Sequence, residues 1–169
     1  MTHYELTGTS KVNRHGIRLY QIRALEDLPV HGVKKGDLGG WIESIQLANG
    51  KARLSGFAWV GENAEVFGNA RLFGTARVSG NARVLGRARV FNGARVFGDA
   101  RVFGEARVFG EAQVFESALV FGDAQVFESA LVFGDAQVSE RARVFNDARV
   151  FGNAVVSGDA WVSGRAKVS

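Results

Sequence analysis

Ala94-Arg95-Val96-Phe97-Gly98-Asp99 is followed at once by Ala100-Arg101-Val102-Phe103-Gly104-Glu105, and the phrase continues in both directions. Alanine occupies every sixth position from Ala52 to Ala166, 20 times in 20. Val or Leu stands two residues after each, from Leu54 to Val168, again without a miss. On an extended strand, residues two apart point to one side and the residue between them to the other. The Ala and Val columns therefore face inward, and the Arg, Gln, Trp or Leu between them faces out. The column after the Phe position holds 13 Gly, four Glu and two Asn. Gly and Asn tolerate positive φ, so each hexad reads as a short strand and a bend.

Such a unit makes one side of a triangular coil. Three hexads close it, giving a parallel β-helix with 18 residues per coil and about six and a half coils in residues 51–169. Stacking at about 4.8 Å makes a prism roughly 30 Å long. A helix does not generate unbroken six-residue spacing on one face, and Val, Phe and Gly disfavour it. A propeller or sandwich needs longer strands. An interior of Ala and Val with two Leu is narrow, and no hexad carries an insertion. That suits the compact left-handed prism.

The chain contains no cysteine, which excludes disulfides and thiolate chemistry. Met1 to Leu6 lacks a secretory pattern, and no apolar run reaches the roughly 18 residues of a membrane span. A soluble cytoplasmic protein is the expectation. Net charge is +4, with six Lys/Arg and five Asp/Glu in residues 1–50. The basic excess is mild and interspersed with acids, which disfavours a nucleic-acid module.

Residues 1–50 lack the hexad and read as a small β cap, which a solenoid end requires. Tyr4-Glu5-Leu6 and Gly16 to Arg23 alternate like the strands of a hairpin, with Gly8 to Gly16 turn-prone between them. A turn is expected at Glu26 to Pro29 and a glycine-rich loop at Gly36 to Gly40, with Trp41 and Ile42 sealing the first coil. The loop lacks the Gly-Lys-Ser/Thr of a phosphate-binding motif. At the other end the repeat runs to Ser169 with no cap pattern, so the last coil is expected to be an edge or to be covered by another chain.

The hexads resemble the hexapeptide motif of left-handed β-helices, in which a small residue follows an aliphatic one by four positions, as Ala100 follows Val96. The variant Val-Phe-Gly-Asn/Asp-Ala, together with Val33-Lys34-Lys35-Gly36-Asp37-Leu38-Gly39-Gly40-Trp41-Ile42-Glu43, resembles the YdcK-like family of bacteria and phage. The resemblance implies a single-stranded left-handed β-helix and no particular activity.

Residues 18 apart stack, so the Phe positions form three ridges near the corners. One holds Phe73, Phe91, Phe109, Phe127 and Phe145, and another Phe97, Phe115, Phe133 and Phe151. The third holds Phe67, Phe103 and Phe121. Ser replaces Phe toward both ends, at Ser55, Ser79, Ser139, Ser157, Ser163 and Ser169. Self-stacking explains ladders. Their central placement points instead to an interface, in a dimer or trimer or with a host protein. Arg53, Arg71, Arg89 and Arg107 also stack, with acids in neighbouring columns, and offer a polyanion-binding alternative.

Enzymes on this fold need histidine on the coils, whereas His3, His15 and His31 all lie in the cap. No catalytic, cofactor or metal site is expected. The leading expectation is a non-catalytic scaffold or protein-interaction module. Polyanion binding follows, and an acyltransferase or a filament-forming β-helix trails.

Overall fold

The computed structural model describes residues 2–169. The chain is an all-β parallel solenoid of about six turns with 18 residues per coil. Its cap is built on three strands, β1 (Tyr4–Val12), β2 (Arg18–Ala24) and β3 (Leu38–Ile42). Beyond them, almost every hexad contributes a strand of two residues, the outward residue and the inward Val. Among the described residues no helix is long and apolar enough to cross a membrane.

Three sheets form the sides of the prism. The first face carries Glu65–Val66, Arg83–Val84, Arg101–Val102, Leu119–Val120, Gln137–Val138 and Val155–Val156. The second runs from Trp59–Val60 to Lys167–Val168 and the third from Arg71–Gly74 to Trp161–Val162. Register is strict, as in Arg95 opposite Gln113 and Val96 opposite Val114. The Arg95 N–H donates to the Ala112 carbonyl at 3.0 Å, and the Phe97 N–H to that of Val114 at 3.0 Å.

The inward columns are closed to solvent. Every Ala and Val or Leu of the repeat from Ala58 to Val150 is 0% exposed. Burying one valine contributes about 1.5–3 kcal/mol, and alanine opposite it keeps the interior narrow enough to fill. The corners hold the chain to one shape. Gly98 has φ +68, and a Cβ there would lie 2.9 Å from the Glu116 backbone nitrogen one coil on. The position thus needs glycine for its dihedral and for the close approach of the stacked corners.

The cap departs from the sequence expectation in several places. The first strand runs through the expected turn to Val12, with a register shift between Leu6 and Ser10 that takes up Gly8. The reversal is confined to the end of that segment, Asn13 to Gly16, where Asn13 Oδ1 accepts the N–H groups of His15 at 2.9 Å and Ile17 at 3.0 Å. The turn expected at Glu26 to Pro29 continues through a 3-10 turn at Pro29–His31, closed by the Leu28–Val33 bridge.

Only the start of Gly36 to Gly40 is a turn; the strand begins at Leu38. Only Gly36 has positive φ; Gly39 and Gly40 lie inside β3. There a Cβ on Gly39 would meet the Val60 carbonyl oxygen at 2.6 Å, and one on Gly40 the Ala64 oxygen at 2.7 Å. These glycines let the cap strand press onto the first coil. β3 pairs antiparallel with β2 and parallel with Glu65–Val66, so one sheet of nine strands runs from cap to coils. The change at residue 50 is a change of repeat within a continuous sheet.

Ile42 and Tyr4 are fully buried at this junction, whereas Trp41 is half-buried beneath the Lys11 ammonium, 4.6 Å from its ring centre. Burial pushes the Tyr4 phenol up to about 12.

Candidate interaction surface

The phenylalanines point outward at the corners and stack ring on ring. Along the longest ridge the centroids of Phe73, Phe91, Phe109, Phe127 and Phe145 are 4.6 to 5.0 Å apart, with planes within 7°. Trp161 closes that row edge-on at 6.2 Å and 78°. Phe97, Phe115, Phe133 and Phe151 stack at 4.9 to 5.3 Å, and Phe103 with Phe121 at 4.9 Å. Each pair contributes roughly 0.5–1.5 kcal/mol.

Because each ring covers its neighbour's face, these ridge residues are half-buried. What reaches solvent is their edges. Phe67 differs: at 5% exposed it is covered by the His15 ring, 5.5 Å away. It therefore belongs to the cap junction and lies outside any open ridge.

Arg71, Arg89 and Arg107 stand in direct register on the third face. Arg53 does not join them as a surface group, contrary to the expectation that placed it at the head of the ladder. It is 1% exposed. Its Nε donates to the Ser44 carbonyl at 2.9 Å and its Nη1 to that of Gly68 at 2.9 Å. Its Nη2 donates to Ser44 Oγ at 3.0 Å and stands 3.5 Å from Glu43. Burial pulls the guanidinium below its ordinary value, and Glu43 opposes the shift. The 44–50 excursion, which the hexad pattern does not describe, folds over it. Arg53 thus clamps that excursion to the first coil.

The outward column is also zoned around the prism, which reading along single ridges missed. Seven successive hexads, Arg71 through Arg107, place arginine there on all three faces. The next five place Gln113, Leu119, Gln125, Leu131 and Gln137, and arginine returns at Arg143. Ordering the outward residues by hexad reveals this directly.

Each cap loop closes a basic cleft against the arginine zone. On the second face, His31 meets Arg77, Arg95 and Glu111 around about 250 Å³. On the third, Lys51 meets Arg71, Arg87 and Arg89 around about 350 Å³. On the first, Arg14 and His15 meet Arg83 and Arg101 around about 180 Å³. Two stacked ion pairs temper the corners: Arg87 with Glu105 at 2.9 Å and Arg141 with Asp159 at 2.9 Å. Arg141 pairs with the coil after it, although Asp123 was its equally close neighbour in sequence spacing.

Each histidine contacts the first coils. His3 and His31 each reach a coil carbonyl through Nε2 at 2.7 Å, at Ala58 and Phe57, and His15 covers Phe67.

Fold and surface together define a capped single-chain β-solenoid with ladders of aromatic and basic side chains on its outside. A protein-family model described as YdcK Beta solenoid repeat matches residues 76–92 and 148–164. No curated protein matches the chain.

Proposed function

We propose that the protein is a non-catalytic interaction module that associates with a second copy of itself through the zone at residues 113–137, where the outward strand column carries no charge. The observation that carries this is the outward column. Stacking accounts for the phenylalanines but not for Leu119 and Leu131, which face out where Arg101 stands one coil before the first and Arg149 one coil after the second. Leu119 on the first face and Leu131 on the second border the corner that carries Phe115 and Phe133. Apolar residues collected on one stretch of a surface are what an interface core requires.

Charge sets the direction. A parallel pairing puts one arginine zone against the other, whereas an antiparallel two-fold pairing separates them. Light scattering across a concentration series tests the reading. A concentration-dependent dimer is expected, and substituting Phe115, Leu119, Leu131 and Phe133 by Ser disrupts it. A monomer at high concentration overturns it.

The seven-arginine zone favours a second reading, polyanion binding on the ladder Arg71, Arg89 and Arg107. It predicts salt-sensitive heparin retention that is lost when all three become Gln. No retention at low salt ends it.

A further inference from the structure

We propose that the cleft between the β1–β2 turn and the first face binds a phosphate group. Arg14 enters it from the turn, and Arg83 and Arg101 enter from stacked strands in direct register. Leu85 and Phe103 form its apolar wall. Three guanidinium groups converging on one small cleft repel one another unless an anion lies among them.

The protein's own acids, Glu65 and Asp99, meet that charge only in part. Glu65 is 7% exposed and held by Lys11 Nζ at 2.8 Å, with Asn13 Nδ2 at 3.5 Å. Glu65 forms an ion pair with Arg83 Nε at 3.6 Å but accepts no hydrogen bond from it, and Asn13 and Lys11 share the same carboxylate. Asp99, the other neighbouring acid, accepts from Asn81 Nδ2 at 3.1 Å. Burial, then Arg14 and Arg101, pulls the Arg83 guanidinium below its ordinary value, and Glu65 and Asp99 oppose the shift. The other two basic clefts differ: Glu111 lies within one, and Arg87 of the other is paired with Glu105.

Arginine forks match phosphate oxygens, and Arg14, Arg83 and Arg101 all line this one cleft. The apolar wall accepts an organic group carried by the phosphate. Two sources share this chemistry, free phosphate and the terminal phosphate of a polynucleotide.

Calorimetric titration with sodium phosphate at constant ionic strength tests the site. Saturable binding is expected in the wild type, weakened by about tenfold or more in Arg14→Gln. Arg14 is exposed, so that variant is expected to fold. Arg83→Gln with Arg101→Gln abolishes binding. The triple variant Arg71→Gln, Arg89→Gln, Arg107→Gln retains it, which separates this site from the third-face ladder. No saturable phosphate binding, no effect of Arg14→Gln, or an equal loss in the triple variant overturns the proposal. A parallel titration uses one oligonucleotide with and without a 5′-phosphate. Tighter binding than free phosphate that depends on the 5′ group supports a polynucleotide terminus. Binding of inorganic phosphate alone supports the free ion.

Discussion

Glu116 Oε2 accepts a hydrogen bond from the backbone N–H of Gly134, 2.8 Å away and one coil further on. Glu116 is itself left-handed, with φ +57. That conformation costs a non-glycine residue roughly 1–2 kcal/mol. The corner N–H it meets has no backbone partner, so the carboxylate offsets the strain. Glu62 with Gly80 at 2.9 Å and Glu128 with Asn146 at 2.8 Å repeat the arrangement. Glu116→Ala keeps the strain and loses the acceptor, and is expected to lower stability by about 1 kcal/mol. Glu116→Gly loses the acceptor but relieves the strain, and is expected to be close to neutral. Urea unfolding of both variants separates the two effects; equal losses contradict them.

Arg53 and Arg89 hold the same place in the hexad yet differ in surroundings. Arg53→Met leaves the Ser44 and Gly68 carbonyls without their buried donor and is expected to cost about 3 kcal/mol. Arg89 is exposed, and Arg89→Gln is expected to stay within about 0.5 kcal/mol. Thermal unfolding of the two variants side by side checks the contrast.

Gly40→Ala forces a methyl to within 2.7 Å of the Ala64 carbonyl oxygen and Val60 Cγ1. A loss of about 2–3 kcal/mol is expected, confined to the cap junction. Hydrogen exchange is expected to quicken in β1, β2 and β3 while amides beyond residue 100 keep their protection. Uniform quickening along the whole rod contradicts the local account.

His31 donates from Nε2 to the Phe57 carbonyl at 2.7 Å. Burial pulls its pKa below the ordinary 6.5; the Phe57 carbonyl opposes the shift, and nearby Arg77, Arg95 and His3 reinforce it. The unfolded chain therefore binds a proton first as pH falls. Stability from this group is complete above pH 6.5 and is lost as pH drops from there toward the folded value. His31→Asn is expected to flatten the pH dependence of the urea midpoint between about pH 7 and 5. A slope unchanged by the substitution contradicts this.

The coils were legible because their determinants are local and repeated. An Ala and a Val two residues apart fix which way a strand faces, and Gly98 and its equivalents fix where it bends. That reasoning also placed the phenylalanines outside. The cap junction was not legible, because its determinants lie far apart in sequence. Nothing near Arg53 announces that residues 44–50 will cover it. Gly39 and Gly40 have the composition of a loop, and only contact with Val60 and Ala64 explains them as strand residues. The basic clefts escaped for a related reason, since each needs a cap loop to arrive over a coil strand.

Each coil pairs only with the one before and the one after, in an unbroken register of 18 residues. The rod can therefore be lengthened or shortened by whole storeys of about 4.8 Å without disturbing anything on either side of the splice. A gain of six residues also keeps every interior side chain inside, yet it turns everything downstream by one wall. The five-ring aromatic row would then break in two and continue at a different corner. What such a change leaves intact is folding; what it scrambles is the pattern painted on the outside.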